Sequence, residues 1–300
     1  MAIFELLRQN PTFLITVCVV LGLLVGSFLN VVVYRLPIML QRDWRQQCCE
    51  FLELEDKPAP TEDAGVSQWD KFNLAAPDSH CPHCNSPIKA WQNIPVISYV
   101  MLGGKCASCK GKISLRYPGV EFTNGVLSGL VAATFGPGWL MLALLLLTWG
   151  LVALTLIDFD HQLLPDDITI PLMWLGLLVN AMELGMGVSL FDAVLGAIIG
   201  YLSLWSFYWA FKLLTGKEGM GYGDFKLLAA LGAWMGWQSL LPIIILSSLV
   251  GAVVGVLMIV LMERDRTVPM PFGPYLAGAG FIMLIWGSQL TSFYLGTFAG

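Results

Sequence analysis

From Phe122 to Ile157 the chain reads FTNGVLSGLVAATFGPGWLMLALLLLTWGLVALTLI, 36 residues without one Asp, Glu, Lys or Arg. A helix needs about 20 apolar residues to cross a bilayer. Drawn as one helix, this stretch would run about 54 Å against a hydrocarbon core of about 30 Å. It therefore has to double back, and Gly136-Pro137-Gly138 supplies the turn.

The same reading extends along the chain. Uncharged runs also cover Pro11 to Tyr34, Leu227 to Met262 and Thr267 to Gly300, and Trp234 to Pro242 supplies a turn in the second of these. Further spans near Ile168 to Met186 and Leu190 to Leu214 bring the expected count to about eight. The segment from Leu227 to Trp237 is short for a full span. With 56 % hydrophobic and 12 % charged residues, lipid is the expected solvent. The fold class read from these runs is an all-α polytopic membrane protein with about eight transmembrane helices and a small polar domain between helices 1 and 2. The expected division is a first transmembrane helix at 11–35, a polar domain at 36–118, and the remaining helices at 119–300. Met1 to Glu5 lacks the basic region of a cleavable signal, so the first span is expected to be retained.

Orientation follows from Lys and Arg, which collect on the cytoplasmic side. Eight spans leave the loop from Arg35 to Pro118 on one side with those around Asp158–Asp167, Thr215–Lys226 and Glu263–Pro271. The first loop holds ten basic residues; Lys212, Lys217, Lys226, Arg264 and Arg266 lie in or beside the later ones, and only Arg8 is left over. That side is expected to be cytoplasmic. The net charge of -5 gives no footing for a nucleic-acid partner, and none is expected.

Within the polar domain, residues 41–78 are acidic, contain Pro58-Ala59-Pro60, and read as a mobile insertion or short helix. Residues 80–118 carry Cys81-Pro-His-Cys84 and Cys106-Ala-Ser-Cys109, two Cys-x-x-Cys knuckles separated by 21 residues. This spacing points to a zinc ribbon: each knuckle chelates with two thiolates, and together they close a tetrahedron. Four thiolates leave no open position, so the zinc would be structural. It would supply stability that about 40 residues cannot draw from a core of their own. Disulfides are the rival reading, disfavoured on a reducing cytoplasmic side. His80 and His83 flank the first knuckle without being needed as ligands, and Cys18 reads as packing in an apolar span.

Ionisable groups at membrane depth point to function. Asp158 ends one apolar run, and Asp224, in Gly221-Tyr222-Gly223-Asp224, starts another. Both reach the cytoplasmic boundary. If they converge they can share one proton, one carboxylate activating water while the other polarises a peptide carbonyl. Gly221 and Gly223 would let an extended substrate backbone approach closely. Asp224 alone could be a helix cap and Asp158 alone a solvated helix end. Asp160, Asp166 and Asp167 compete in the same loop, and spacing does not choose among them. The glycine run is no phosphate loop, since it follows an apolar span and lacks Gly-Lys-Ser/Thr.

Taken together, these motifs resemble the type IV prepilin peptidases, or leader peptidase/N-methyltransferases. The likeness runs through Gly26-Ser27-Phe28-Leu29-Asn30-Val31-Val32, the paired knuckles, Arg116-Tyr117-Pro118, the Asp158 loop, Gly221-Tyr222-Gly223-Asp224 and Pro271-Phe272-Gly273-Pro274-Tyr275. The Gly-x-Gly-Asp element is similar to that of other intramembrane aspartyl proteases. The resemblance implies that Asp158 and Asp224 are the catalytic pair. It also implies removal of a short basic leader from prepilins and type II secretion pseudopilins, then N-methylation of the new terminus with S-adenosylmethionine as donor. It implies a bacterial inner-membrane location, and links Gly104, in Gly103-Gly104-Lys105-Cys106, to methyl transfer. Glu121 lies just inside the second span, facing either chemistry or a structural partner. The rival from another class is a transporter whose edge aspartates relay protons or cations; against it, these carboxylates lie at span ends rather than the midplane. A zinc-bearing scaffold without chemistry would leave the loop aspartates and glycines unexplained.

Overall fold

A computed structural model of the chain describes residues 7–54, 72–262 and 270–298. Met1 to Glu5, Lys57, Lys71, Pro58-Ala59-Pro60, Arg264 and Arg266, all used above, lie outside the described residues. Among those described, the chain is helical, with isolated bridges only at His80–Pro87 and Lys105–Lys112. Eight longer helices follow in order: α1 Pro11–Phe51, α2 Arg116–Phe135, α3 Trp139–His161, α4 Asp166–Ala181, α5 Leu190–Thr215, α6 Tyr222–Met235, α7 Leu240–Met262 and α8 Gly273–Phe298. A single-turn helix, Ile97–Met101, precedes α2.

Among the described residues, four segments are long and apolar enough to cross a membrane: Pro11–Phe51, Trp139–His161, Leu190–Thr215 and Trp237–Leu261. On α7, Leu241, Ile245, Leu249, Val256 and Val260 are exposed along one face, a stripe that suits lipid and not water. By contrast α4 and α6, with 16 and 14 residues, rise only about 24 and 21 Å, less than the hydrocarbon core. The short segment foreseen at 227–237 belongs to α6. It is short because it is interior: every residue from Leu227 to Met235 is buried by protein.

The chain forms two compact units, Met1–Ile15 with Leu130–Gly300, and Thr16–Gly129. In the first, α6 is the central helix, and close contact explains why. Gly196 of α5 and Gly232 of α6 each lie where a Cβ would strike the other's backbone carbonyl, while a Cβ on Gly200 would come within 2.8 Å of the Leu228 carbonyl oxygen. Small residues at such a crossing let backbones approach and gain packing in a setting where lipid offers no hydrophobic drive. From α4, Gly176 makes room for the Trp234 ring, whose Nε1 donates to the Leu172 carbonyl at 2.8 Å. Asn180 donates to the carbonyls of Ala233 and Trp234 at 2.8 and 3.2 Å, satisfying acceptors that the end of α6 leaves open.

In the second unit α1 continues past the expected end of the span at 35, through Pro37, to Phe51. At about 62 Å it is twice as long as the hydrocarbon core requires. Its polar extension is held from the side: Arg35 donates to the carbonyls of Asn73 and Pro77 at 2.9 and 2.6 Å, and Arg42 lies 4.8 Å from the Phe72 ring centroid. These contacts lead the chain from α1 to the first cysteine knuckle.

Candidate active site and metal centre

Asp158 sits in the last turn of α3 and Asp224 in the first turn of α6, and both are buried, 5 % and 6 % exposed. One side chain ties them together. Leu164, in the loop after α3, lies where a Cβ on Gly223 would come within 2.7 Å of its own Cβ. The same leucine is 3.1 Å from the position of a Cβ on Gly273, and that Cβ would stand 2.7 Å from Asp158 Oδ2. Gly223 and Gly273 therefore let backbone close on Leu164 from two directions, which brings together residues 66 and 115 positions apart in the chain.

The two carboxylates meet different partners. Asp158 Oδ2 accepts the Gly273 N–H at 2.9 Å, at the N-terminus of α8 where free N–H groups favour an anion. Asp224 Oδ1 is buried and finds no partner among the described residues. A buried acceptor left open in this way costs stability, and such atoms call for an explanation in function. The Cβ position of Gly221 is 3.8 Å from Asp224 Oδ2, and the space around it is otherwise open.

Of the competing aspartates, Asp160, Asp166 and Asp167 are all exposed. Asp166 pairs with Lys226 at 2.7 Å, joining the starts of α4 and α6. Asp166 and Asp167 also occupy the first turn of α4, where the helix dipole favours acids. Leu164 and Gly273 were not foreseen as parts of the site. Gly273 had been noticed within Pro271–Tyr275, yet the loop pattern carries no sign that its backbone meets Asp158.

In the second unit the four sulfurs of Cys81, Cys84, Cys106 and Cys109 all lie within 4.8 Å of one another, Cys81 and Cys109 at 3.9 Å. Zinc bonded to sulfur at about 2.3 Å in a tetrahedron sets sulfurs about 3.8 Å apart, so the donor set fits that ion. The two knuckles are built alike. In each, the first cysteine's N–H bonds five residues ahead, to Ser86 and Gly111. In each, the residue four ahead, Asn85 or Lys110, donates back to that cysteine's carbonyl from a positive φ of 53° or 61°. No repeat is apparent in the sequence between these turns. The backbone N–H groups of Cys109 and Ser108 hold the Cys106 thiol down at about 6, which readies it as a thiolate ligand. Four thiolates this close repel one another unless a cation sits among them.

Gly104 stands at the entry to the second knuckle with φ 68°. Its N–H donates to the Tyr99 carbonyl at 2.9 Å, and a Cβ there would meet the Tyr99 hydroxyl at 2.7 Å. Positive φ and the lack of space both require glycine.

Comparison with known proteins agrees with this two-part layout. Residues 20–135 match the profile of the bacterial peptidase A24 N-terminal domain, and residues 128–256 that of the type IV leader peptidase family. The chain is 58 % identical over 291 residues to a prepilin leader peptidase/N-methyltransferase of Stutzerimonas stutzeri, covering 97 % of each chain. It is 54 % identical over 300 residues to one of Pseudomonas aeruginosa, covering 100 % of this chain and 99 % of that one. One of Neisseria gonorrhoeae is 51 % identical over 271 residues, 90 % of each. No solved structure matches.

Proposed function

Since the chain belongs to the type IV leader peptidase family, we propose that it removes the leader of prepilins and pseudopilins with Asp158 and Asp224, then methylates the new N-terminal residue. The observation that carries the peptidase reading is the burial of two aspartates, at the end of α3 and the start of α6, beside Gly273 and Gly223, which both close on Leu164.

In this reading a water lies between the carboxylates. One carboxylate takes a proton from the water as it attacks the scissile carbonyl, and the other gives its proton to the carbonyl oxygen. The gem-diol collapses as a proton passes to the leaving amine, so that the peptide C–N bond breaks and the pair regains its single shared proton. The Gly273 N–H keeps Asp158 in position, while Gly221 leaves the approach to Asp224 free of a side chain for an extended peptide and Gly223 packs against Leu164.

The four cysteines hold a structural zinc that stabilises residues 80–118. S-adenosylmethionine supplies the methyl group, and an amine with an ordinary pKa near 8 needs placement more than a strong base. Residues 36–118, including Gly104, serve methyl transfer, and the helices that carry Asp158 and Asp224 serve proteolysis. The helices cross the bacterial inner membrane several times, with the large loop and both sites facing the cytoplasm, where a basic leader stays.

The test is purified enzyme incubated with a prepilin, reading leader loss and added methyl mass together. Asp158→Asn and Asp224→Asn are each expected to lower leader removal by about 10³-fold or more, the scale of losing a member of a catalytic unit. Both should remain folded and still methylate an already cleaved pilin. Cleavage at the normal rate by either variant would sink the assignment.

A further inference from the structure

We propose that Glu121 is the carboxylate that holds the α-amino group of the newly cut pilin during methyl transfer, where α2 meets α1 and the Pro95–Val96–Ile97 turn. The proposal rests on the methyltransferase reading above and gives it a substrate-binding residue.

Glu121 is the buried acid of the Thr16–Gly129 unit among the described residues, 8 % exposed in the second turn of α2. Its Oε2 accepts the N–H of Val96 at 2.8 Å. Val96 has φ 58° and ψ -47°, and the Ile97 N–H bonds to the Pro95 carbonyl across it. That is a γ-turn of the rare positive-φ kind, which a β-branched residue adopts only under constraint. Such conformations persist where surroundings over-determine them, and they gather at ligand clamps. Here the constraint includes a carboxylate that an incoming N–H donor could claim.

Beside it lies a second open acceptor. Asn124, three residues on and on the same face of α2, is fully buried. Its Nδ2 donates to the Gly22 carbonyl at 2.7 Å, which settles the amide's orientation, and its Oδ1 finds no partner among the described residues. α1 closes tightly over both: a Cβ on Gly26 would come within 2.8 Å of the Glu121 Cα and 3.2 Å of the Asn124 Cβ. Asn30 donates to the Tyr117 carbonyl at 3.3 Å. Gly26, Asn30 and Tyr117 have no part in the aspartate chemistry, yet they hold α1 against this end of α2.

A carboxylate and an amide oxygen on one helix face suit a ligand rich in N–H donors. A peptide's α-ammonium group is one, with three donors and a positive charge. The ammonium gives one proton to water, and its lone pair attacks the methyl carbon of the sulfonium donor. The C–S bond breaks with its electrons going to sulfur, leaving a neutral thioether and a methylated ammonium. Glu121 holds the nitrogen throughout.

The experiment uses the full-length enzyme in detergent, S-adenosylmethionine and an already cleaved pilin with N-terminal phenylalanine, with uncut prepilin in parallel. Glu121→Gln keeps an oxygen for the Val96 N–H and removes only the charge. It is expected to lower kcat/KM for methylation by about 10- to 100-fold, mainly through KM for the pilin, as loss of a charged hydrogen bond does. Leader removal should stay within about twofold. Glu121→Asp, which retains the charge, should recover part of the loss. Methylation by Glu121→Gln at the normal rate would overturn the proposal, as would an equal fall in both activities. A wild-type enzyme that adds no methyl mass would instead sink the methyltransferase reading, and Glu121's role with it.

Discussion

The aspartate pair and the cysteine cluster solve one problem, holding a few side chains in register, by opposite means. The pair is assembled from residues far apart in sequence and takes its order from helix packing, with glycines closing on Leu164 and α6 enclosed by protein. The cluster is assembled from two short turns, and Cys84 and Cys109 are exposed. Little apolar surface is buried around it, so in the zinc reading its order comes from the bound ion. A site made by packing fails when a methyl group is added, whereas a site made by a metal fails when the metal is withdrawn.

Withdrawing the proposed zinc is therefore the largest single perturbation. Structural zinc contributes on the order of 10 kcal/mol or more to such domains. A strong chelator is expected to abolish amide protection and protease resistance across residues 80–118, while α3–α8 keep theirs; hydrogen exchange by mass spectrometry reads both. The loss should come more readily as pH falls, because protons compete with the metal for the thiolates. Simultaneous melting of α3–α8 would break the contrast between the two sites.

Adding a methyl group tests the other side. Gly273→Ala sets a carbon 2.7 Å from Asp158 Oδ2 and 3.1 Å from Leu164 Cδ2, so the carboxylate has to move. A displacement near 1 Å costs a catalytic group about 100-fold. Leader removal is expected to fall by about that factor, mostly in kcat, with zinc content and the methylation of cleaved pilin unchanged. Full activity would mean that the Gly273 contact does not position Asp158.

The same contrast explains what could be read in advance. Uncharged runs and the Gly136–Gly138 turn announce helices because composition and local geometry are sequence-near. Cys-x-x-Cys announces its cluster because both ligands of a knuckle belong to one turn. Leu164 is one leucine among many, and its place between Gly223 and Gly273 depends on two long-range approaches. The Gly196–Gly232 crossing is hidden likewise, since glycines in apolar helices read as packing wherever they fall. The uncharged run stops at Tyr34, yet α1 continues through Pro37, and Arg35 and Arg42 secure the extension through contacts with residues 72–77. Val96 could not be foreseen at all, because its conformation answers to Glu121, 25 residues later.

The smallest expected effect concerns the Lys226–Asp166 pair, which joins α4 to α6 two residues beyond Asp224. Its position suggests control of the active site, but its environment argues otherwise. The lysine side chain is 33 % and the carboxylate 51 % exposed, and ion pairs in such settings contribute about 0–1 kcal/mol, less in salt. The Gly223–Leu164 contact already sets the start of α6 without help from charge. Lys226→Met should therefore change leader removal by no more than about threefold, and the difference should shrink as salt is raised. A loss comparable with that of Gly273→Ala would show that charge, as well as packing, orders the aspartate site.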